Sequence, residues 1–135
     1  MINSLKELNP EQLLSLLESA CDQLNRNEQL KSRLKPGDRL SVLITNPTVI
    51  GFTLSVGSGG LKWSMNIPES GPRITWKEQS HFLEWLEGKR GLMKLLMLRR
   101  VRMDGKVPGW FSVMIEPLRS AVAALATERF DYRRS

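Results

Sequence analysis

The sequence predicts an α+β fold in which helices pack on one face of a five-stranded antiparallel sheet. Between residues 40 and 67, apolar residues alternate with polar ones in short segments, which is the two-residue period of strands with one buried face. Apolar stripes with the helical period lie on either side, at residues 13–24 and 82–86. Helical and strand segments grouped in this way are typical of α+β folds.

The first helix is predicted to begin at Pro10. Asn9 can cap it, Pro10 suits the first helical position, and Gln12 lies three residues after the cap. An apolar stripe at helical spacing then continues to Leu24. Asn25 and Asn27 weaken the pattern, but Leu30 and Leu34 can continue it as far as the turn expected at residues 36–38.

Three strands are predicted next, at residues 40–45, 50–56 and 61–67. A glycine-rich connection at 57–60 joins the second strand to the third, which favours an antiparallel meander. One face of this meander is apolar and buried. The other face has hydroxyls, amides and glycine, and is either solvated or paired with another subunit.

A fourth strand at 73–76 is predicted to run into a helix. Thr75 and Glu78 have the spacing of a capping box at the start of that helix. Glu84 and Glu87 are placed on its polar side, where solvated surface charge is the ordinary interpretation.

The rest of the chain predicts a short helix, a strand and a long helix. Residues 91–98 can form a short amphipathic helix, and residues 101–104 alternate as a fifth strand. A last helix is expected between residues 108 and 130. Pro117 should kink or restart it, because a proline ring does not fit a regular helix interior.

Positive charge is concentrated in residues 89–106, which we call the basic segment. It has seven basic residues against one acidic residue, Asp104, so it accounts for the whole net charge of +6. Such a patch favours an anionic partner, namely membrane headgroups, nucleic acid or an acidic protein. A solvated face that only aids solubility is the alternative. The candidate membrane or anion contacts are Lys89, Arg90, Lys94, Arg99, Arg100, Arg102 and Lys106.

The sequence lacks the patterns of common catalytic and metal sites. His81 is the only histidine and Cys21 the only cysteine, which excludes zinc sites with several such ligands and an intrachain disulfide. Residues 57–60 lead into a strand, without the lysine and helix that a phosphate loop needs. Cys21 lies on an apolar helix stripe, where a buried thiol is expected. We therefore predict a non-catalytic protein without cofactor or metal.

Several stretches resemble a sterol carrier protein 2 domain. Residues 60–67 read Gly-Leu-Lys-Trp-Ser-Met-Asn-Ile, similar to the family's third-strand pattern of a glycine, a tryptophan and alternating apolar residues. Residues 74–89 resemble its strand, helix and Gly-Lys ending. Residues 101–107 resemble its fifth strand with the closing glycine, and the helix around 116–118 matches its C-terminal end.

The resemblance implies one sterol-carrier-like domain over residues 1–135. Its family-like core would span 37–126, after an N-terminal helical region at 1–36 and before a tail at 127–135. No transmembrane segment or secretory signal is visible, so we expect a cytoplasmic protein that contacts membranes peripherally.

The resemblance also implies a non-catalytic carrier. Family members hold a lipid-like molecule in a tunnel between the apolar face of the sheet and the helices. Hydrophobic and aromatic side chains, with adaptable methionines, suit such a wall, although residues at these spacings are first of all core residues. The candidate residues lining the ligand site are Phe52, Trp63, Met65, Phe82, Leu86, Met97, Met103, Phe111, Met114 and Leu118.

Two alternatives to a lipid carrier stay open. One is an interaction or accessory domain with a filled core, since accessory proteins of isoprenoid quinone biosynthesis look similar at this level. The other is nucleic-acid binding through the basic segment. Nucleic acid is disfavoured because Trp85 and Trp110 are not interleaved with the cationic residues and no recognised motif occurs. The sequence does not specify an oligomeric state.

Overall fold

The computed structural model describes residues 1–133 and has the predicted α+β architecture. The order of elements matches the prediction, with a short initial 3-10 helix and a short second helix in addition. The helices are the 3-10 helix Leu5–Glu7, α1 Pro10–Leu24, α2 Glu28–Lys31, α3 Gln79–Leu86, α4 Leu92–Met97 and α5 Trp110–Phe130. The strands are β1 Arg39–Ile44, β2 Ile50–Gly57, β3 Gly60–Ser64, β4 Arg73–Trp76 and β5 Val101–Asp104.

The five strands form one sheet in the order β3-β2-β1-β4-β5. All neighbouring pairs are antiparallel except β1 and β4, which are parallel, so the predicted sheet is mixed at one pair. The connection at residues 65–72 explains this pair. It runs back across the sheet, so β4 starts near the beginning of β1, with Arg73 opposite Ser41, and continues in the same direction.

One face of the sheet packs against the helices. Val42 pairs with Phe52 and Ile74, and Leu54 pairs with Trp63, so these side chains project from the same face into the core. Helix α1 packs against α5 and β3, while α3 packs against β4 and α4 against β5. The predicted apolar face is therefore buried.

The opposite face of the sheet, which we call the open face, is partly covered by residues 65–72. Thr53 Oγ1 donates a 2.7 Å hydrogen bond to the carbonyl of Asn66. Ile67 lies so close to Gly51 that a Cβ there would come within 3.0 Å of its Cδ1. This closeness explains why a glycine interrupts β2.

Three predicted helix features have different outcomes. At α1, Asn9 accepts from the backbone of Gln12 at 2.8 Å and Gln12 accepts from that of Asn9 at 3.0 Å, as predicted. The capping box of Thr75 and Glu78 is wrong, because Thr75 belongs to β4 and α3 has no side-chain cap. Helix α5 also runs continuously through Pro117 rather than restarting there.

The N-terminal residues and residues 131–133 meet beside the end of α3. Helix α5 continues to Phe130, so residues 127–130 of the predicted tail are helical, and Tyr132 is buried against Ile2. The last two residues of that predicted tail, 134–135, lie outside the described residues. The predicted solvent position of Glu87 is wrong, because its side chain has no exposed area and accepts a hydrogen bond from Tyr132.

Candidate functional site

The interior layer between sheet and helices contains eight of the ten predicted lining residues. They come from five elements that converge there: β2 and β3 from one side of the sheet, β5 from its far edge, and α3 and α5 above it. Met65 and Met97 do not join them, being 56% and 80% exposed. The eight residues brought together in or against the core are Phe52, Trp63, Phe82, Leu86, Met103, Phe111, Met114 and Leu118.

Aromatic rings form the centre of this layer. Trp76 packs edge-on against Phe82 and tilted against Trp85, with both pairs of ring centroids 5.3 Å apart. Trp85 in turn stacks on Phe111 at 6.1 Å. The predicted lining omitted Trp76, although its alternation with Ile74 in a strand segment is a signal that it points inward.

A polar atom of this layer is left without a partner among residues 1–133. Trp76 is 1% exposed, and its indole Nε1 makes no hydrogen bond within that range. Leaving a buried donor unsatisfied costs about 1–3 kcal/mol.

Helix α4 lies at the edge of this layer and faces both the core and solvent. Leu95 is fully buried, and its neighbours Leu92 and Leu96 pack against the core. Met93 and Met97 point outward and are 71% and 80% exposed. Because a short helix has only one buried stripe, the methionines of this apolar segment are left in solvent.

All seven predicted cationic residues are exposed and surround α4 or follow it. Acidic neighbours neutralise some of them: Arg90 pairs with Glu84 at 2.8 Å and Arg102 with Asp104 at 3.0 Å. The Nζ of Lys89 lies 3.9 Å from Glu87. Within residues 1–133, no ion pair involves the remaining four cations, which are Lys94, Arg99, Arg100 and Lys106.

Comparison with solved structures decides the fold of this chain. Sterol carrier protein 2 from Yarrowia lipolytica superposes with a TM-score of 0.59 at 15% identity, covering 90% of this chain and 98% of that one. The sterol carrier protein domain 2 of Helicoverpa armigera gives 0.59 at 17% identity, with 86% and 94% covered. The chain has the sterol carrier protein 2 fold. No protein-family model matches its sequence, and no curated protein does.

A ubiquinone synthesis protein, UbiJ-SCP2, shares this sterol carrier fold at lower similarity. Its TM-score is 0.50 at 17% identity, covering 87% of this chain and 94% of that one. The resemblance noted in the sequence is thus confirmed at the level of the fold. At identities of 15–17%, these superpositions establish the fold alone. What the site binds has to be argued from its own residues.

A cleft borders the interior layer at the end of α3. It has a volume of about 500 Å³ and lies between the end of α3 and α5. Leu86 is the one predicted lining residue at its wall, beside Glu87 and Arg119. Arg119 closes its inner side, because its Nε donates to the carbonyl of Trp85 at 2.9 Å and its guanidinium lies 5.4 Å from the indole centroid.

The one cysteine of the chain is buried in the core. Burial raises the pKa of the Cys21 thiol to about 12, with Asp22 and Glu18 adding to the effect, so the thiol stays protonated at neutral pH. No group of three or more His, Cys, Asp or Glu suited to a metal occurs in residues 1–133. In the same range, no helix is long and apolar enough to cross a membrane.

Proposed function

We propose that this protein binds a lipid or another hydrophobic small molecule between the apolar face of its sheet and its helices, and exchanges it at an anionic membrane surface. It acts as a carrier without catalysis, in the cytoplasm and with peripheral membrane contact. The observation that carries the proposal is helix α4, where outward-facing methionines stand among unpaired cationic side chains next to the interior layer.

The composition of the α4 surface favours a membrane as its partner. Large exposed apolar side chains mark interaction surfaces when they cluster, and here Met93, Met97 and Leu98 lie within six residues. Lys94 lies between them, and Arg99 and Arg100 follow. Apolar side chains that insert at the headgroup boundary and cations that attract anionic lipids are the two parts of an interfacial helix.

The interior layer supports the ligand-binding part of the proposal. Aromatic rings and methionine provide apolar contacts that adapt to a flexible molecule. The unpartnered Nε1 of Trp76 offers one hydrogen bond to a polar end group. Leu95 joins this layer directly to the α4 surface, so movement of α4 toward the membrane would loosen the layer at its edge.

A filled-core accessory domain is the second candidate function, and the packing of the interior favours it. The eight lining residues pack together in or against the core, and close packing is how a domain without a ligand maximises its stability. The fold shared with UbiJ-SCP2 makes isoprenoid quinone biosynthesis the setting to consider for such a domain.

Native mass spectrometry of gently purified protein tests the two candidates. The carrier proposal expects a bound hydrophobic molecule near one equivalent, identifiable after organic extraction. Mixing with vesicles of phosphatidylcholine and phosphatidylglycerol should remove it, and the variant Met93→Ser/Met97→Ser should slow this removal while keeping the bound molecule. A protein that is free of ligand and takes up none from vesicles would overturn the carrier proposal and favour the filled core.

A further inference from the structure

A second site lies on the open face of the sheet, away from the interior layer. It is a cavity of about 320 Å³ where β1, β4 and β5 lie side by side. Four of its eight lining residues are cationic, and none is acidic. The lining residues are Leu43, Thr45, Arg73, Thr75, Lys77, Arg99, Val101 and Arg102.

Thr75 lies at the centre of this cavity. It pairs with Leu43 of β1 on one side and with Arg102 of β5 on the other, so its side chain projects from the open face between them. Its Oγ1 is buried and has no hydrogen-bond partner among residues 1–133. A buried hydroxyl normally finds a partner, because leaving it unpaired costs free energy in the folded protein.

Arg99 stands at a position that usually favours glycine. It follows α4 in a left-handed conformation with φ of 57°. The backbone N–H of Arg99 donates to Leu96 and that of Arg100 to Leu95, which is the Schellman ending of a helix. Glycine would adopt this conformation without strain, whereas arginine brings a cationic side chain to the cavity wall.

The charge at the cavity is incompletely compensated. Arg73 donates to the carbonyl of Pro68 at 2.7 Å, and Arg102 pairs with Asp104 at 3.0 Å outside the cavity. Within residues 1–133, neither Lys77 nor Arg99 takes part in an ion pair. The planar guanidinium groups of arginines, together with a hydroxyl donor, can donate to the several oxygen acceptors of a phosphate group.

We propose that this cavity is a binding site for a phosphate group, with Thr75 donating from its floor and Arg99 and Lys77 supplying the positive charge. The phosphate can belong to a lipid headgroup or to a free phosphate compound, since both present the same oxygen acceptors. Arg102 can swing to admit it, because 73% of its side chain is exposed. The site does not depend on whether the interior layer holds a ligand.

Titration of the labelled protein with inorganic phosphate, against chloride at equal ionic strength, tests the site by NMR. We expect saturable shifts at the amides of Thr75, Lys77 and Arg99. Thr75→Val should keep the thermal midpoint or raise it, because it removes an unpaired buried hydroxyl, yet weaken phosphate binding about fivefold. Arg99→Gly should raise the midpoint and weaken binding about tenfold.

Arg100→Gln is the matched charge control, because Arg100 is exposed, adjacent in sequence and absent from the cavity wall. It should leave phosphate binding nearly unchanged. Arg99→Gln removes the same charge at the cavity wall and should weaken phosphate binding as Arg99→Gly does. Equal weakening by Arg100→Gln would mean diffuse attraction and would overturn the site. So would shifts that chloride reproduces.

Vesicles distinguish the two sources of phosphate. If a lipid headgroup is the ligand, vesicles with phosphatidic acid should shift the three amides more than vesicles of equal charge with phosphatidylglycerol, and Thr75→Val should abolish this preference. Binding of inorganic phosphate without that preference indicates a free phosphate compound. Absence of both responses would overturn the proposed phosphate site. The mass-spectrometric test of the interior ligand would be unaffected by that result.

Discussion

The hydroxyl of Tyr132 donates a 2.6 Å hydrogen bond to Oε2 of Glu87, a carboxylate with no exposed side-chain area. Ser4 Oγ donates to the other oxygen, Oε1, at 3.2 Å. One buried carboxylate thus joins the N-terminal segment, the end of α3 and the C-terminal segment. These contacts explain why Tyr132 is buried although it follows the last helix.

Tyr132→Phe should destabilise the protein by about 1–3 kcal/mol, because it leaves a buried carboxylate oxygen without its shortest donor. Urea unfolding followed by tryptophan fluorescence measures the loss. Arg133→Ala is the control, since its side chain is exposed and its ion pair within residues 1–133 is with exposed Asp131 at 3.5 Å. Equal midpoints for Tyr132→Phe and the wild type would show that the hydrogen bond contributes nothing.

Asn25 fastens the β2–β3 hairpin to the end of α1. Its Nδ2 donates to the carbonyl of Leu61 at 3.0 Å, and its Oδ1 accepts from the N–H of Leu61 at 2.8 Å. A Cβ on Gly60, which has φ of 108°, would overlap Oδ1 of Asn25.

Asn25→Ala should therefore cost about 1–3 kcal/mol through the loss of both hydrogen bonds. Gly60→Ala should be at least as damaging, because it adds a clash to a left-handed backbone. Thermal unfolding measures both variants. Gly59→Ala is a matched control, since a Cβ there meets nothing within 4 Å. A similar loss in that control would refute the specific role of Asn25.

The elements could be predicted from the sequence because each has a local cause. The cap of Asn9 and Gln12 and the alternation of β1 and β2 are set by neighbouring residues. The parallel pairing of β1 with β4 could not be predicted from the sequence, because it depends on the path that residues 65–72 take across the sheet. The role of Asn25 could not be predicted either, since its hydrogen-bond partner Leu61 lies 36 residues away.

The candidate site was predictable in its apolar part and less so in its polar part. Inward alternation identified Phe52 and Trp63, which stack with ring centroids 4.2 Å apart. Sequence spacing placed Glu87 in solvent and Thr75 at a helix cap, and both placements are wrong. Their environments are made by distant segments, on which local spacing has no bearing.

The Cys21 thiol should be inert in the folded protein. Its pKa is raised from 9.0 to about 12 mainly by burial, so almost no thiolate is present at pH 8. We expect slow reaction with a chromogenic disulfide reagent in buffer and rapid reaction of one thiol in 6 M guanidinium. Rapid reaction in buffer would contradict the buried placement.

The same pKa shift predicts a loss of stability in alkali. Above pH 9 the unfolded thiol releases its proton while the folded thiol retains it, so the unfolded state binds fewer protons and the free energy of unfolding falls as pH rises toward 12. Cys21→Ala removes this contribution. Its midpoint in urea should therefore decline less between pH 8 and pH 10 than that of the wild type, and an equal decline would argue against the shift.

Membrane association through α4 should depend on both salt and charge. Each cation near an anionic surface contributes about 1 kcal/mol, so Lys94→Gln/Arg100→Gln should lower partitioning into phosphatidylglycerol-containing vesicles about thirtyfold in a sedimentation assay. Raising ionic strength from 0.1 M to 1 M shortens the Debye length from about 10 Å to about 3 Å and should have a comparable effect. Arg33→Gln/Lys62→Gln removes the same charge from exposed positions outside the basic segment, and should change partitioning much less. Equal losses in the two double variants would assign the attraction to net charge and refute a contact centred on α4.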